Sequence, residues 1–445
     1  MRVRRALLCL PGICLALMGC FSGCFKSDPT ASSEATSPDA LKSAPNPATS
    51  LPQKSTTPAT AKLDDVTAAQ ERLLAIGSTA KSVVQGDRLT ELTIQDGASL
   101  TADDLALFGR LTDLQKLQIY NCRILNDEMV SQLFGLKEVR TLALTNTVIN
   151  DAAVETIVKA FPNLIDLDLS SNTNMSGSVL KVISELSSLQ RLTLIQNRFN
   201  ELNTRRLSKL QDLRSLDLRG NMEAGDMTLD VVAKLPKLTA LKHRSTAVSD
   251  YGMEYLSHNV ALENLLIQDF AITNQSGAYL AKLQKLTQLE IFRCQGFGTE
   301  GVLALKRLNL QRLTLRDLPN VADQALEVLT ELPKLRRLYL HELSALSDHG
   351  LKNLSALQSL ELLDIWSIPQ MTDATIDVIA VLPNLKELSL RSTGVTDATV
   401  AKLIGMQKLQ SLTFKENGSI TAEGLKKLST RKWSKLDIGG SEPSD

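Results

Sequence analysis

Aromatic residues make up only 4% of the 445-residue chain, so its 43% of hydrophobic residues must be largely aliphatic. The formal net charge is +0, with 49 basic and 49 acidic residues, which argues against a nucleic-acid partner held by global charge. Four His and six Cys leave little material for a His-rich metal site. None of His243, His258, His341 and His349 stands at metal-ligand spacing with another His or a Cys. The sequence has no Gly-x-Ser-x-Gly elbow, P-loop or His-Glu-x-x-His motif, so no enzyme class is marked and no cofactor is expected. Beyond the N-terminus no apolar run approaches the roughly 20 residues of a membrane span.

What the chain has in abundance is Leu, 80 residues of it, well above the share of any one residue in an average domain. Length alone allows about three domains, but the sequence divides by a shorter period. The pattern Leu-x-x-Leu-x-Leu, with conservative replacements, starts at Leu89, Leu114, Val139, Leu164, Leu189, Leu213, Leu238, Leu262, Leu286, Leu310, Leu335, Leu360, Leu385, Leu409 and Trp433. The mean spacing is about 24.6 residues. Alternation places Leu313 and Leu315 on an inner face and Arg312, Thr314 and Arg316 on an outer one. After each strand comes a short turn and a second signature, as at Ser347-Asp348 and Thr372-Asp373, where the Ser/Thr-Asp pair is a helix N-cap signal. Apolar residues then recur three or four apart, as at Ile376, Ile379 and Leu382, which predicts a helix of two to three turns. One such unit cannot bury its apolar face alone, so the units must stack.

Over roughly four-fifths of the chain this pattern resembles the leucine-rich repeat family. The resemblance implies an α/β solenoid of about 15 repeats, an arc with a parallel β-sheet on its concave face and short helices on its convex face. The helical half is most similar to the cysteine-containing and GALA-like repeats. Position nine of the motif is Cys122, Thr147, Asn172, Asn197, Asn221, Thr246, Cys294, Thr393 and Asn417, and in the family such side chains bond backbone groups of the loops. Phe270, Leu318, Leu343 and Ile368 depart from that rule and predict an apolar spine.

The N-terminus reads as an address. Arg2, Arg4 and Arg5 precede a short apolar stretch, Ala6 to Met18. It ends in Leu17-Met18-Gly19-Cys20, which resembles a bacterial lipobox and implies cleavage before Cys20 and lipid attachment to its sulfur; Cys24 is the alternative. The expected organisation is a lipoprotein signal peptide over 1–19 and a Ser/Thr/Pro/Ala tether over 20–65. A capping helix over 66–88, the repeat domain over 89–440 and a tail over 441–445 follow. Losing Arg2, Arg4 and Arg5 makes the mature chain slightly acidic.

Cys122 and Cys294 share one motif position seven repeats apart, on the order of 34 Å at the strand spacing of a sheet. That is far beyond disulfide reach. The stretch Gly296-Phe297-Gly298-Thr299-Glu300-Gly301 imitates a dinucleotide fingerprint, but Gly301 aligns with Gly350 and Gly424 of other repeats and Phe297 fills an apolar slot. The informative surface is the outer strand face of six successive repeats in the second half. One row there reads Phe292, Arg316, His341, Trp366, Arg391 and Lys415, with Tyr339 and Asp364 in the central row and Arg312 and Arg337 in the first. Aromatic and Arg side chains are enriched in binding hot spots. Arg312 beside Arg337 is a like-charge pair that a sheet disfavours. The competing reading is that the rings only cover neighbouring aliphatic stems, with Arg stacked on them.

These features predict a non-catalytic scaffold on the cell envelope, exported, monomeric and lipid-anchored to the outer membrane or cell surface. It would bind a protein partner and no nucleic acid through the concave face. An alternative is envelope glycan or cell-wall binding by the aromatic-basic strip. The family resemblance also points to F-box-like ubiquitin-ligase adaptors, but no F-box-like segment precedes the repeats and an export signal conflicts with that role.

Overall fold

The computed structural model describes residues 58–438; the leader, Cys20, Cys24, most of the tether and the 441–445 tail lie outside them. Sixteen strands form one sheet in strict chain order. The first eight are β1 (Ala80–Gln85), β2 (Arg88–Ile94), β3 (Lys116–Tyr120), β4 (Thr141–Thr145), β5 (Asp166–Asp168), β6 (Arg191–Thr193), β7 (Ser215–Asp217) and β8 (Ala240–Arg244). The others are β9 (Asn264–Gln268), β10 (Gln288–Phe292), β11 (Arg312–Arg316), β12 (Arg337–His341), β13 (Leu362–Ile368), β14 (Glu387–Thr393), β15 (Ser411–Lys415) and β16 (Lys435–Asp437). β1 is antiparallel to β2, and from β2 onward neighbouring strands are parallel. Short helices connect them, so the fold is the open leucine-rich solenoid expected from the repeat. Among the described residues no helix is long and apolar enough to cross a membrane.

Each strand buries the residues the motif assigns inward. Leu313, Leu315, Leu338, Leu340, Leu363 and Ile365 are fully buried. At roughly 25 cal/mol per Å² of apolar surface, such stacked rows supply the main stabilisation of the array. The connecting helices are shorter than two to three turns in several repeats. Asp127–Val130, Glu201–Thr204 and Asp348–Leu351 are single α-turns that tighten into 3₁₀ segments, and Asp323–Glu331 is 3₁₀ throughout. A unit of about 25 residues must also hold a strand and two turns, which leaves little chain for a longer helix.

The Ser/Thr-Asp signal does two jobs. Thr372 caps its own helix by accepting from the Ala374 N–H. Asp348, one repeat earlier, accepts from both the Thr372 N–H (3.0 Å) and its hydroxyl (2.6 Å). Asp323, Asp373 and Asp397 reach Ser347, Thr396 and Thr421 in the same way. Asp151, Asp226 and Asp250 do so in the first half. An aspartate ladder thus ties successive helix N-termini together.

The N-terminal cap differs from the expected helix over 66–88. A helix spans Pro58–Ile76, Gly77 (φ +86°) ends it, and Ala80–Gln85 turns through Gly86 (φ +66°) into a hairpin with β2. Ala and charged helix formers dominate before Gly77, whereas Val83 and Val84 favour a strand after it. The tether therefore gives way to ordered chain before residue 65. Arg72 anchors the helix on Asp104 at 2.7 Å. At the other end the Trp433 indole donates to Leu428 O at 2.8 Å. Arg431 stacks 4.2 Å from the Trp433 ring and donates to the carbonyls of Leu403, Ile404 and Met406. This pair packs against the last two described strands.

The ladder at motif position nine has two forms. In the first half the side-chain Oδ1 atoms of Asn172, Asn197 and Asn221 accept from the backbone N–H groups of Thr147, Asn172 and Asn197, and their amides donate to strand-end carbonyls. From repeat eight Phe270, Cys294, Leu318, Leu343 and Ile368 are buried in their place, until Thr393 and Asn417 restore the polar form. Thr246 does not belong to the ladder. It is exposed, and the buried Ser245 bonds Met222 O instead, because this repeat's turn lacks the left-handed residue that follows most of the strands.

Candidate sheet-face binding site

Strand register brings the expected residues together. Phe292, Arg316, His341, Trp366, Arg391 and Lys415 are consecutive partners from β10 to β15. Thr314, Tyr339 and Asp364 pair in the central row, and Arg312 lies opposite Arg337. All are on the outward face, and all but the exposed Arg337 and the buried Thr314 are half-buried.

The rings and cations form one connected array. The Arg316 guanidinium lies 4.4 Å from the Phe292 ring centroid and 5.2 Å from that of Trp366. Arg391 lies 5.0 Å from Trp366, and Arg312 lies 4.7 Å from Tyr339. His341 makes edge contacts with Tyr339 at 6.0 Å and Trp366 at 5.8 Å. Such cation–ring contacts contribute on the order of 0.5–1 kcal/mol each at partly exposed sites.

Carboxylates neutralise part of the array. Arg316 Nε donates to Glu342 at 2.8 Å, Arg391 donates to both Asp364 oxygens at 3.2 Å, and Lys415 pairs with Asp437 at 2.7 Å. His341 Nε2 is 3.3 Å from Asp364 but is not aligned for a hydrogen bond. Burial opposes ionisation of Asp364; the His341 imidazole, the Ser389 hydroxyl and Arg391 outweigh it and hold the carboxyl below its usual range. Arg312 and Arg337 have no carboxylate partner among the described residues.

Sequence reasoning missed Glu342, Asp269 and Arg293. Glu342 and Arg293 sit one position past their strands in the left-handed region (φ 55° and 53°), as does Asp269 (φ 60°). This turn column is readable as the residue after the third outward position, where Asn121, Asn146, Asp269 and Asp317 are the residue types that tolerate positive φ. Asp269 binds both Arg244 and Arg293, and Arg293 lies 4.5 Å from the Phe292 ring.

The described residues present no catalytic constellation. Burial pushes the Cys294 thiol up to about 12 and raises that of Cys122, so neither is a ready nucleophile. Both are free and buried. His243 is enclosed in the core, His258 and His349 are exposed, and among the described residues no cluster of three or more His, Cys, Asp or Glu could hold a metal. The Gly296–Gly301 glycines serve packing: a Cβ on Gly298 would lie 2.7 Å from Asn320 O, and one on Gly301 would lie 2.7 Å from Phe297.

A family profile described as a leucine-rich repeat region matches residues 148–422, more than half of the chain. The chain belongs to the leucine-rich repeat family. No curated protein matches this leucine-rich repeat protein. Among solved structures it is similar to a chain of the yeast Rad7 and Elc1 complex, at 17% identity over 86% of this chain and 93% of that one, with a TM-score of 0.56. It is also similar to an internalin (inlF) from Listeria monocytogenes, at 21% identity over 79% and 94%, TM-score 0.44. A chain of the TLR13–ssRNA13 complex matches at 18% identity over 79% and 47%, TM-score 0.42. At these identities the Rad7 and Elc1 likeness speaks for the fold alone. The leucine-rich repeat fold is that of a scaffold compatible with protein binding.

Proposed function

We propose that this protein is a non-catalytic scaffold, lipid-anchored at Cys20 to the cell envelope, that holds a protein partner against the outward sheet face of β10–β15. The observation that carries the reading is the connected array of Phe292, Arg316, His341, Trp366 and Arg391, fixed by ring contacts and ion pairs. An array already ordered in the free protein loses little side-chain entropy when a partner lands on it. The lipobox-like Leu17-Met18-Gly19-Cys20 supports the anchor, and the Ser/Thr/Pro-rich stretch after it suits a tether.

A sugar-binding reading is less well supported. Guanidinium groups already cover the Trp366 and Tyr339 rings, so a sugar would have to displace them before stacking.

A photo-crosslinking amino acid at Tyr339 should give a defined protein adduct in envelope preparations, while the same probe at the exposed, helix-side Val381 should not. Identical adducts from both positions, or none from Tyr339, would remove the sheet face from consideration. Metabolic labelling with a fatty-acid probe should disappear in Cys20→Ser; labelling that survives would move the anchor to Cys24.

A further inference from the structure

The unpaired cations of the sheet face lie beside the array. Two shallow depressions, of about 250 and about 280 Å³, adjoin on the face and share Gln288 and Arg312. The first is also lined by Lys242 and the second by Arg337. We propose that this continuous groove, from Lys242 on β8 to Arg337 on β12, binds an extended acidic peptide segment of the protein partner. The proposal rests on the sheet-face reading above and specifies its chemistry.

The argument is one of charge that the fold leaves uncompensated. Arg293, Arg316 and Arg391 on the same region each have a carboxylate within 3.2 Å. Lys242, Arg312 and Arg337 have none among the described residues. Arg312 and Arg337 are nonetheless direct partners in the parallel register, on strands about 4.8 Å apart. Like charges so placed repel, and the only local relief is the turn of Arg312 onto the Tyr339 ring. A carboxylate between the two guanidinium forks would convert that repulsion into charge-assisted hydrogen bonds, for which the planar Arg fork is suited.

Two acidic residues line the groove, and each bears on the test. Glu361 is already held by Arg336 at 2.5 Å and Lys386 at 3.6 Å, so it leaves Arg337 free. Glu290 makes no salt bridge among the described residues and would repel an acidic ligand, so its removal should favour binding. Four strand steps separate Lys242 from Arg337, about 19 Å, which an extended chain of about six residues spans.

The test uses the full-length protein and a fluorescein-labelled hexaglutamate peptide, with hexaglutamine as control, followed by fluorescence anisotropy. Hexaglutamate should bind and hexaglutamine should not. Arg312→Gln and Arg337→Gln should each weaken binding by roughly tenfold, and Glu290→Gln should strengthen it by roughly threefold. The unliganded Arg337→Gln protein should melt no lower than the parent, because a repulsion has been removed; this separates lost binding from lost folding. Equal binding of the two peptides, or unchanged affinity in Arg337→Gln, would overturn the proposal. Preferential binding of heparin over hexaglutamate in the same assay would do so too, by assigning the groove to an acidic glycan. If the Tyr339 probe captures a partner while hexaglutamate fails to bind, the groove assignment falls and the sheet-face reading stands. If hexaglutamate binds through Arg337 but Tyr339 captures nothing, the groove's affinity for acidic chains stands while the protein partner on β10–β15 falls.

Discussion

The two halves of the solenoid solve one structural problem with opposite chemistry. At motif position nine the first half stacks Asn172, Asn197 and Asn221, whose amides satisfy loop and strand-end backbone groups. The second half fills the same column with Phe270, Cys294, Leu318, Leu343 and Ile368, all buried. The strands differ in step: β5, β6 and β7 have three residues each, whereas β10 to β14 have five to seven. The outward faces diverge too. Arg191 and Arg219 of the first half are paired with Asp166 and Asp217, while the second half carries the aromatic array and the unpaired Arg312 and Arg337. The three repeats that turn their loops on stacked Asn are therefore also those with the shortest strands, and the apolar spine runs beside longer ones.

The largest test of this comparison exchanges the two columns. Leu343→Asn buries an amide between Leu318 and Ile368, which offer it no polar side chain, and leaves a gap in the packing. It should destabilise by about 4 kcal/mol. Asn197→Leu strands the Asn172 N–H and takes away one of the two amide donors of the Leu169 carbonyl, at about 2 kcal/mol. Hydrogen exchange near each site, with denaturant midpoints, measures both, since a repeat array need not unfold in one step. A change below about 1 kcal/mol in either variant would mean that the columns are interchangeable, and the contrast would lose its energetic meaning.

His243 stands where the two columns meet. It occupies the third Leu position of its repeat, fully buried, with Nε2 2.7 Å from Ala224 O and its ring 5.4 Å from Phe270. Burial lowers its pKa, although the Ala224 and Leu218 carbonyls act the other way. The unfolded chain therefore takes up a proton that the folded one resists. Stability is complete above the unfolded value near 6.5 and falls as pH drops toward the folded value. The loss should show between pH 8 and pH 5, and His243→Leu should remove it. Parallel melting curves of the two proteins across this range would contradict the assignment.

Most of the fold was legible because period 2 in the strands and the fixed repeat length determine faces and stacking order together. Phe292, Arg316, His341, Trp366, Arg391 and Lys415 could be aligned into one row by counting alone. Counting could not say that Arg316 turns to Glu342 or that Asp269 serves two Arg residues, because periodicity assigns a face and not a rotamer. Thr246 shows the same limit: one changed turn shifts the ladder side chain to Ser245. The N-terminal cap lies outside the repeat, where only local propensity acts, and there the helix and hairpin were read as a single helix.

The aspartate ladder runs through both halves with replacements at Gly177, Glu201, Asn274 and Thr299; Asn274 bonds the N–H groups of Gly298 and Gly301. Burial works against ionised Asp348 and Asp373, but hydrogen bonds from Thr372 and Thr375, and from Thr396 and Thr399, outweigh it and lower both carboxyls. Their stabilisation is present above the unfolded carboxylate value and is lost as pH falls through the depressed folded value. Asp348→Asn and Asp373→Asn should each lose about 1 kcal/mol at pH 7, a hydrogen-bond value discounted for exposure, and almost nothing at pH 2. Equal losses at both pH values would show that shape, not charge, holds the ladder.

The smallest effect concerns the left-handed turn after most strands. The first half places Asn121 and Asn146 there, linked by a 2.7 Å side-chain hydrogen bond. The second half places Glu342, Ser367, Ser392 and Glu416 at the same backbone angles. Positive φ disfavours side chains that cannot bond locally, and Asn tolerates it better than Ser. Glu342 and Ser392 have partners in Arg316 and Glu416 that a substitution would remove. Ser367 is therefore the cleaner probe. Ser367→Asn should raise stability by about 0.5 kcal/mol, and Asn146→Ser should lower it by a similar amount plus the lost bond to Asn121. If Ser367→Asn destabilises instead, the turn column is set by contacts with the neighbouring repeat rather than by backbone preference. The two halves would then differ at this position for packing reasons as well.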